Sequence, residues 1–230
     1  MNELSPAYAI VIARGGSKRI PGKNIRPFHG KPLITWPLDA LVSSGIFGEV
    51  IVSTDSEDIA AVATESGASV PFMRPAQLAN DYATTAEVAI HAIEYLVSQG
   101  MPSDAHICLV YPAAVSITSA TLIESRQLIR DDTTFVFSAC VFPSAVERAW
   151  EVAEDQHARP WLPEYMQSRT QDLRPKYYDA GQFYWSTVDA WTQIAEGKRP
   201  QSRAFILPPS QAVDVDTEDD WILAEKLFDR

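Results

Sequence analysis

The chain has 230 residues, of which 46% are hydrophobic and 21% charged, as expected for a globular protein with one α/β domain. A formal net charge of −11 argues against a general nucleic-acid binder, which would present a broad basic face. The chain has neither an apolar run long enough to span a bilayer nor a basic segment before its first apolar run, so we expect no membrane association and a cytoplasmic location. Cys108 and Cys140 lie in apolar runs, which indicates buried thiols.

Strand and helix patterns alternate through the first 141 residues. In chain order they predict a strand at 7–13, a helix at 33–45, a strand at 49–55, a helix at 56–68, a strand at 69–74, a helix at 84–98, a strand at 106–111, a helix at 119–131 and a strand at 134–141. Ser56 is the expected N-cap of the second helix. This alternation predicts an α/β fold with a mostly parallel sheet flanked by helices, and a ligand site at the carboxyl ends of its strands.

Residues 142–180 interrupt the alternation with a segment rich in Pro, Arg, Gln and Tyr. We interpret it as an excursion within a single domain covering residues 1–230, and we expect a hairpin that packs on a partner subunit. A strand at 181–187, a short helix at 188–196, a strand at 204–208 and a closing helix at 217–229 follow, the last capped by Thr217.

Positive charge is concentrated in one loop, ARGGSKRIPGKN at residues 13–24, and no acidic residue lies between Glu3 and Asp39. A P-loop requires four residues between its glycines and a hydroxyl after its lysine, whereas five residues separate Gly16 from Gly22 and Asn24 follows Lys23. The dinucleotide fingerprint fails as well, because the first two glycines are adjacent. The loop therefore matches neither common phosphate motif.

The residue types of the loop nevertheless favour a polyphosphate ligand. Gly15 and Gly16 allow the backbone to approach an anion closely, and Ser17 adds a hydrogen-bond donor. Arg14 can bind a phosphate through two parallel hydrogen bonds, while Lys18 and Lys23 act as point charges.

Two carboxylates near the other end of the chain complement this loop. Asp214 and Asp216 alternate in VDVDTEDDW (213–221), so an extended backbone would direct both side chains the same way. Mg²⁺ is commonly held by one or two carboxylates together with substrate phosphates. We therefore predict a magnesium site at these two residues, and we interpret Asp219 and Asp220 as first-turn acids of the closing helix.

The basic loop, followed by PFHGKPLI (27–34), resembles the start of the sialic-acid-type cytidylyltransferases. The resemblance continues through VIVSTDSEDIA (50–60), VPFMRPAQLANDYATT (70–85) and YYDAGQFYW (177–185) to VDVDTEDDW, and the run DAGQFYW is most similar to the pseudaminic acid branch. It implies a Rossmann-like nucleotidyltransferase fold, Mg²⁺, a homodimer, and transfer of CMP from CTP to a nonulosonic acid with release of pyrophosphate. Bacterial flagellar or other surface glycans would use such a product.

The resemblance also assigns roles to individual residues. The nucleotide would be bound by Arg14, Gly15, Gly16, Ser17, Lys18, Lys23, Asn24, Arg74, Ala83 and Thr85, and the sugar by Arg169, Gln171, Asp179, Gln182 and Tyr184. Lys23 and Arg14 would stabilise phosphate charge, and Asp216 is our candidate general base. We expect Arg169, ahead of Arg148 and Lys176, to meet the sugar carboxylate.

Two departures from the family pattern leave the sugar open. YPAAVSI (111–117) has Ala113 and Val115 where relatives usually have Thr and Pro, and Tyr178 precedes DAGQ where the pseudaminic branch often has His. The alternatives are transfer to sialic, legionaminic or 3-deoxy-octulosonic acid, or a catalytically weak nucleotide-binding module.

Overall fold

The structure, a computed structural model, describes residues 5–130 and 134–228. Its strands are β1 (Ala7–Ile12), β2 (Pro27–Phe28), β3 (Lys31–Pro32), β4 (Glu49–Ser53), β5 (His106–Val110), β6 (Phe135–Val141), β7 (Trp150–Val152), β8 (Ala158–Pro160), β9 (Tyr177–Thr187) and β10 (Ser202–Ile206). Its α-helices are α1 (Thr35–Ser44), α2 (Glu57–Glu65), α3 (Thr85–Ser98), α4 (Ser119–Arg126), α5 (Val188–Ala195) and α6 (Glu218–Leu227).

Six of these strands form one mixed sheet in the order β10-β6-β9-β5-β1-β4. β1 pairs in parallel with β4 and β5, β10 pairs in parallel with β6, and β9 runs antiparallel to both of its neighbours. The carboxyl ends of β1, β4 and β5 therefore meet the amino-terminal half of β9 at one edge of the sheet. The predicted mostly parallel sheet with flanking helices is confirmed.

Helices cover both faces of this sheet because successive residues of a strand face opposite sides. In β1, Ala9 and Val11 pack into a core with residues of α1, α2 and α4, whereas Ile10 packs into a second core with α3. Cys108 joins the first core, and both cysteines are buried free thiols, as predicted. Burial raises the pKa of the Cys108 thiol.

A third core lies beneath the basic loop and connects it to α6. Its buried members are Ile20, Phe28, Leu33, Ala113, Val115, Val215, Trp221 and Ala224. The ring of Phe28 lies 5.4 Å from that of Trp221 and 5.1 Å from that of Phe228 in edge-on geometry. This core fixes the position of the acidic segment before α6 relative to the loop.

Several helix ends follow the local signals in the sequence. Ser56 caps α2 by accepting a hydrogen bond from the amide of Ile59, and Gly45 ends α1 in the left-handed conformation. Thr84 and Thr217 cap α3 and α6, each within a capping box. The last residue of the predicted closing helix, Asp229, lies outside the described residues.

The prediction of a strand at 69–74 was wrong. That segment makes two isolated parallel bridges, Ile51 to Ser69 and Thr54 to Met73, and Pro71 between them has no amide to donate. The helix predicted at 119–131 ends earlier, at Arg126, and residue 131 lies outside the described residues. The strand predicted at 181–187 begins four residues earlier, at Tyr177.

The segment between β6 and β9 contains the predicted hairpin, formed by antiparallel β7 and β8. Its large apolar side chains are unusually exposed, with Trp150 53% and Trp161 50% accessible. Over residues 5–130 and 134–228, we find no helix with both the length and the apolar character needed to cross a bilayer.

Candidate active site

An open cleft of about 590 Å³ lies at the carboxyl edge of β1, β4 and β5. The cleft is lined by the basic loop, by Asp214 and Asp216, and by a wall formed by Thr85, Tyr111, Asp179 and Tyr184. Arg74 and Ala83 line a third part of the wall. The cleft thus collects residues from five separate segments, as the sheet topology requires.

Close packing against Ser56 explains why residue 15, at the start of the loop, is glycine. A Cβ atom on Gly15 would lie 3.0 Å from the Cβ of Ser56, whereas one on Gly16 would meet open space. The Gly15 amide donates to Asp55 (2.8 Å), and the Ser17 amide donates to the Gly15 carbonyl (3.0 Å). The protein itself uses these two amides, so neither is available to a ligand.

Asn24 fixes the far end of the loop and presents an unused acceptor. Its side-chain amide donates to the Arg14 carbonyl (2.9 Å), and the residue is 3% exposed. Within the described chain, its Oδ1 accepts no hydrogen bond, although the residue lines the cleft. A buried acceptor without a partner is unfavourable, so a donor on a bound ligand would satisfy it.

The cations of the loop divide between two acidic residues. Arg14 and Lys18 both contact the carboxylate of Asp81, whereas Arg19 and Lys23 both contact that of Asp216, with Arg19 at 2.8 Å and Lys23 at 3.4 Å. Contacts from Lys18 and Arg14 hold the pKa of Asp81 below its usual value.

Lys23 is the most enclosed of the four cations. Its side chain is 17% exposed, and its Nζ donates to the Val215 carbonyl at 2.6 Å. Because Val215 lies between Asp214 and Asp216, this contact fixes the lysine directly beside both carboxylates.

Asp214 and Asp216 suit a divalent cation. Asp214 reaches the solvent of the cleft, but the surrounding walls remove part of its hydration and raise its pKa, and the charge of Asp216 raises it further. A bound cation would relieve this repulsion. In the part of the chain that the structure describes, these carboxylates belong to no metal-sized cluster of three or more His, Cys, Asp or Glu residues. Two carboxylates with open positions match the preference of Mg²⁺ for water and substrate phosphates.

Arg74 lies on the cleft wall between β4 and α3. Its Nε donates to Ser53 Oγ at 3.0 Å and its Nη2 donates to the Ser53 carbonyl, while burial lowers its pKa to about 10. The guanidinium is therefore held rigidly by the end of β4. Ala83 also lines the cleft and belongs to a turn in which Asn80 Oδ1 accepts from the amides of Tyr82 (2.7 Å) and Ala83 (3.0 Å).

A bulge in β9 shapes the wall of the cleft that carries Asp179 and Tyr184, beside Asp214. The pairing of β9 with β6 shifts between Asp179 and Tyr184, and Gly181 within this bulge has φ of 61°, a left-handed conformation that favours glycine. As a result, Asp179 and Tyr184 both face the cleft although their numbers differ in parity. The Tyr184 hydroxyl donates to Asp179 Oδ2 at 2.7 Å, and the Gly181 amide donates to Oδ1 at 2.9 Å.

Tyr111 completes the wall that carries Asp179 and Tyr184. Its hydroxyl lies 2.8 Å from Thr85 Oγ1, and its ring meets that of Tyr184 edge-on at 5.9 Å between centroids. Burial raises the pKa of both tyrosines, so both hydroxyls stay protonated at neutral pH. This wall offers hydroxyl groups, ring faces and the carboxylate of Asp179.

Comparisons with known proteins identify the family. The profile of a cytidylyltransferase family matches residues 8–100. A pseudaminic acid cytidylyltransferase of Campylobacter jejuni is 39% identical over 95% of this chain and 94% of its own length. The chain belongs to the cytidylyltransferases. This cytidylyltransferase is also 33% identical to the CMP-N,N'-diacetyllegionaminic acid synthase of Legionella pneumophila, over 96% of the chain and 95% of the relative.

Solved structures show that the fold is shared more widely. CMP:2-keto-3-deoxy-manno-octonic acid synthetase, solved in complex with CTP, superposes with a TM-score of 0.70 at 18% identity, covering 97% of this chain and 98% of the other. 4-Diphosphocytidyl-2C-methyl-D-erythritol synthase of Anaerococcus prevotii superposes with a TM-score of 0.64 at 11% identity, covering 96% and 97%. The cytidylyltransferase therefore has a nucleotidyltransferase fold and is a nucleotidyltransferase enzyme.

Most of the residues predicted from sequence line the cleft of the cytidylyltransferase, but three side chains predicted to bind sugar do not. Gln182 is 1% exposed, and its side chain donates to the carbonyls of Ala180 and Val213, tying β9 to the acidic segment. Arg169 and Gln171 are exposed on the excursion, away from the cleft walls. Phe183 and Trp185 are fully buried core residues, and Tyr184 alternates with them towards the cleft.

Sequence reasoning missed Tyr111, Asp81 and Arg19 as cleft residues. Arg19 belongs to the basic loop and could have been included with its neighbours. Tyr111 opens YPAAVSI directly after β5, so its position at a strand end was a usable signal. Ala113 and Val115, the departures in that segment, pack into the third core, where apolar side chains are expected.

Proposed function

We propose that this enzyme transfers CMP from CTP to the anomeric hydroxyl of a nonulosonic acid, namely pseudaminic acid, and releases pyrophosphate. The observation that carries the proposal is the position of Lys23, which joins the basic loop to the Asp214–Asp216 segment in one cleft. The 39% identity to a pseudaminic acid cytidylyltransferase over 95% of the chain supports the choice of sugar.

The chemistry would depend on positioning and on charge stabilisation, as is usual in phosphoryl and nucleotidyl transfer. The loop side chains Arg14, Lys18 and Lys23 would bind the triphosphate. Arg74 and the turn at Ala83 would hold the cytosine beside the rigid end of β4. The acceptor hydroxyl would then attack the α-phosphorus in line with the departing pyrophosphate.

Mg²⁺ is part of the proposal, with Asp214 and Asp216 as its protein ligands. When bound there, the ion would neutralise charge on the phosphates. Asp216 also remains our candidate base. Because both of its oxygens are ion-paired, with Arg19 and Lys23, one of those contacts must be released before Asp216 can accept the acceptor's proton.

The acceptor carboxylate needs a cation, and the wall formed by Thr85, Tyr111, Asp179 and Tyr184 carries none. We infer that the enzyme is a homodimer and that the excursion of one subunit reaches the cleft of the other. Arg169 would then meet the carboxylate. Arg148 and Lys176 are less available, because Arg148 donates to Thr170 Oγ1 and Lys176 pairs with Glu147.

We also propose a cytoplasmic enzyme whose product supplies the glycosylation of flagellin or another surface glycan. CTP is abundant in the cytoplasm, and a CMP-activated sugar is the usual donor for transfer of such an acid.

The test is pyrophosphate release from CTP with a panel of keto sugar acids. We expect the highest kcat/KM with pseudaminic acid, and less with sialic, legionaminic and 3-deoxy-octulosonic acids. If another acid gave the highest kcat/KM, the proposed substrate would be wrong but the proposed reaction would stand. Thermal stabilisation by CTP without turnover on any acid would instead indicate a nucleotide-binding module and refute the proposed activity.

A further inference from the structure

Asp81 connects the turn at residues 80–83 to the phosphate end of the cleft. One of its carboxylate oxygens accepts from Arg14 Nη1 at 2.8 Å, and the other accepts from Lys18 Nζ. Both of its oxygens therefore contact the cations that face the cleft, and Asp81 itself lines that cleft. The Asp81 carboxylate therefore occupies the position that a bound anion would take beside Arg14 and Lys18.

The backbone of the turn places this carboxylate before any ligand arrives. The Asn80 side chain accepts from the two amides that follow Asp81, and the Asn80 carbonyl itself accepts from Arg14 at 3.3 Å. The same turn carries Ala83, which lines the cleft as Arg74 does. Residues that contact the loop cations and a residue that lines the cleft thus belong to one four-residue segment.

A triphosphate would require the same donors. Arg14 and Lys18 direct hydrogen-bond donors to Asp81, and phosphate oxygens binding there would displace the carboxylate or lie against it. Both ion pairs are solvent-accessible, with the Arg14, Lys18 and Asp81 side chains 38%, 76% and 43% exposed. Exposed ion pairs are weak, so a ligand of higher charge can replace them.

A bound nucleotide would affect Asp81 and Asp216, the two acids that contact the loop, in different ways. Asp216 lies beside Asp214, where a cation could bridge it to a phosphate. Asp81 contacts only cations among the loop side chains, and it would face the phosphates as a like charge. Repulsion at Asp81 would therefore oppose phosphate binding until the carboxylate leaves Arg14 and Lys18.

We propose that Asp81 is an internal competitor for the phosphate site, which occupies Arg14 and Lys18 in the free enzyme and is displaced when a polyphosphate binds. This inference rests on the proposed function, because it takes the loop to be the triphosphate site. Asp81 would lower the affinity for CTP and pyrophosphate, and its return to the loop would assist release of pyrophosphate.

The test is calorimetric titration of the intact protein with inorganic tripolyphosphate, which contains no base or sugar. We expect Asp81→Asn to bind tripolyphosphate about twofold to tenfold more tightly than the wild type at low salt. The gain should shrink as salt is raised to 0.5 M, because salt screens exposed charges. The control is Asp104→Asn, an exposed residue before β5 at the opposite edge of the sheet, which removes the same charge. It should leave the affinity within twofold.

Equal or weaker binding by Asp81→Asn would overturn the proposal, because Asp81 would then only hold the loop in shape. An equal gain in Asp104→Asn would also overturn it, since the effect would come from net charge. Asp81→Glu should return the affinity towards the wild-type value. A wild type that binds no tripolyphosphate would refute the phosphate-loop assignment, whereas normal wild-type binding without a gain would refute only the role of Asp81.

Discussion

At the scale of single residues, Lys23 has the strongest claim to a catalytic role. Arg14, Lys18 and Arg19 extend from the loop into solvent, but Lys23 is held against the Val215 carbonyl with little exposure. A charge in such a position is less screened by water than its neighbours, so its effect on phosphate charge is larger.

We therefore expect Lys23→Ala to lower kcat/KM for CTP by about 100-fold to 1000-fold, the usual cost of removing one stabilising donor. Initial rates of pyrophosphate release would measure it. Lys198→Ala, which removes an exposed lysine paired with Glu196 after α5, should remain within twofold of the wild type. A comparable rate for the two variants would exclude a catalytic role for Lys23.

The sequence predicted the site residues that form local patterns and missed those that depend on tertiary contacts. Arg14, Lys23, Asp214 and Asp216 were found because charge clustering and alternation are visible over a few residues. The pairing of Asp81 with the loop joins residues more than 60 positions apart, and no local pattern encodes it. For Gln182, the sequence could not show that the bulge directs the side chain into the protein.

At the scale of elements, the first turn of α6 positions the acidic segment. The Asp220 carboxylate accepts from the Thr217 hydroxyl (2.7 Å) and amide (2.8 Å), and also from the Asp216 amide (3.2 Å). These contacts, chiefly that of the Thr217 hydroxyl, lower the pKa of Asp220. The helix cap thus also fixes the backbone of a proposed metal ligand.

Because the pKa of Asp220 is lower in the folded chain, its stabilisation is present above the unfolded value of about 3.9 and is lost as the pH falls through the folded value. We expect Asp220→Asn to lower the free energy of unfolding by about 0.5–1 kcal/mol at pH 7, a small value because solvent screens the carboxylate. Urea denaturation should show the difference from wild type fading below about pH 4.

Asp219→Asn is the matched control, since it removes the same charge from the same turn. It should cost less at pH 7. A deficit for Asp220→Asn that persisted unchanged at pH 3.5 would contradict the assignment of its stabilising effect to the charged carboxylate.

Among the elements, the sequence predicted best those with their own start and stop signals. Helices α1, α2, α3 and α6 have glycine or capping residues at their ends, which local chemistry specifies. The segment at 69–74 has strand-like composition, but a continuous strand would need an amide at position 71, and Pro71 has none. The first four residues of β9 were not predicted as strand, because Asp179 and Gly181 are residue types that are uncommon in strands and the bulge interrupts the alternation of side chains.

At the scale of the whole molecule, the exposed apolar side chains concentrate on the excursion. Trp150, Val152, Trp161 and Tyr177 lie there with between 47% and 65% of their surface accessible. Exposed apolar patches commonly mark interaction surfaces. The proposed homodimer would bury them and bring Arg169 of one subunit to the other cleft.

We expect the wild type to be a dimer by light scattering and the double variant Trp150→Ser, Trp161→Ser to shift to the monomer mass. The KM for the acceptor should rise at least tenfold in the variant while calorimetric CTP binding is retained, because the nucleotide site lies within one subunit. Val97→Ser, at an exposed valine of α3, is the control and should remain dimeric. A wild type that is monomeric and fully active would contradict the shared site.

The third core also has a consequence for synthesis of the protein. Phe28, Leu33 and Ile20 emerge from the ribosome early, whereas Trp221 and Val215, against which they pack, are made nearly 200 residues later. Until that late segment arrives, Lys23 lacks both the Val215 carbonyl and Asp216. A nascent chain thus displays its cations without the carboxylates that complete the cleft. We therefore expect chains that end before residue 213 to lack nucleotidyltransferase activity, because their cleft would lack Asp214, Val215 and Asp216.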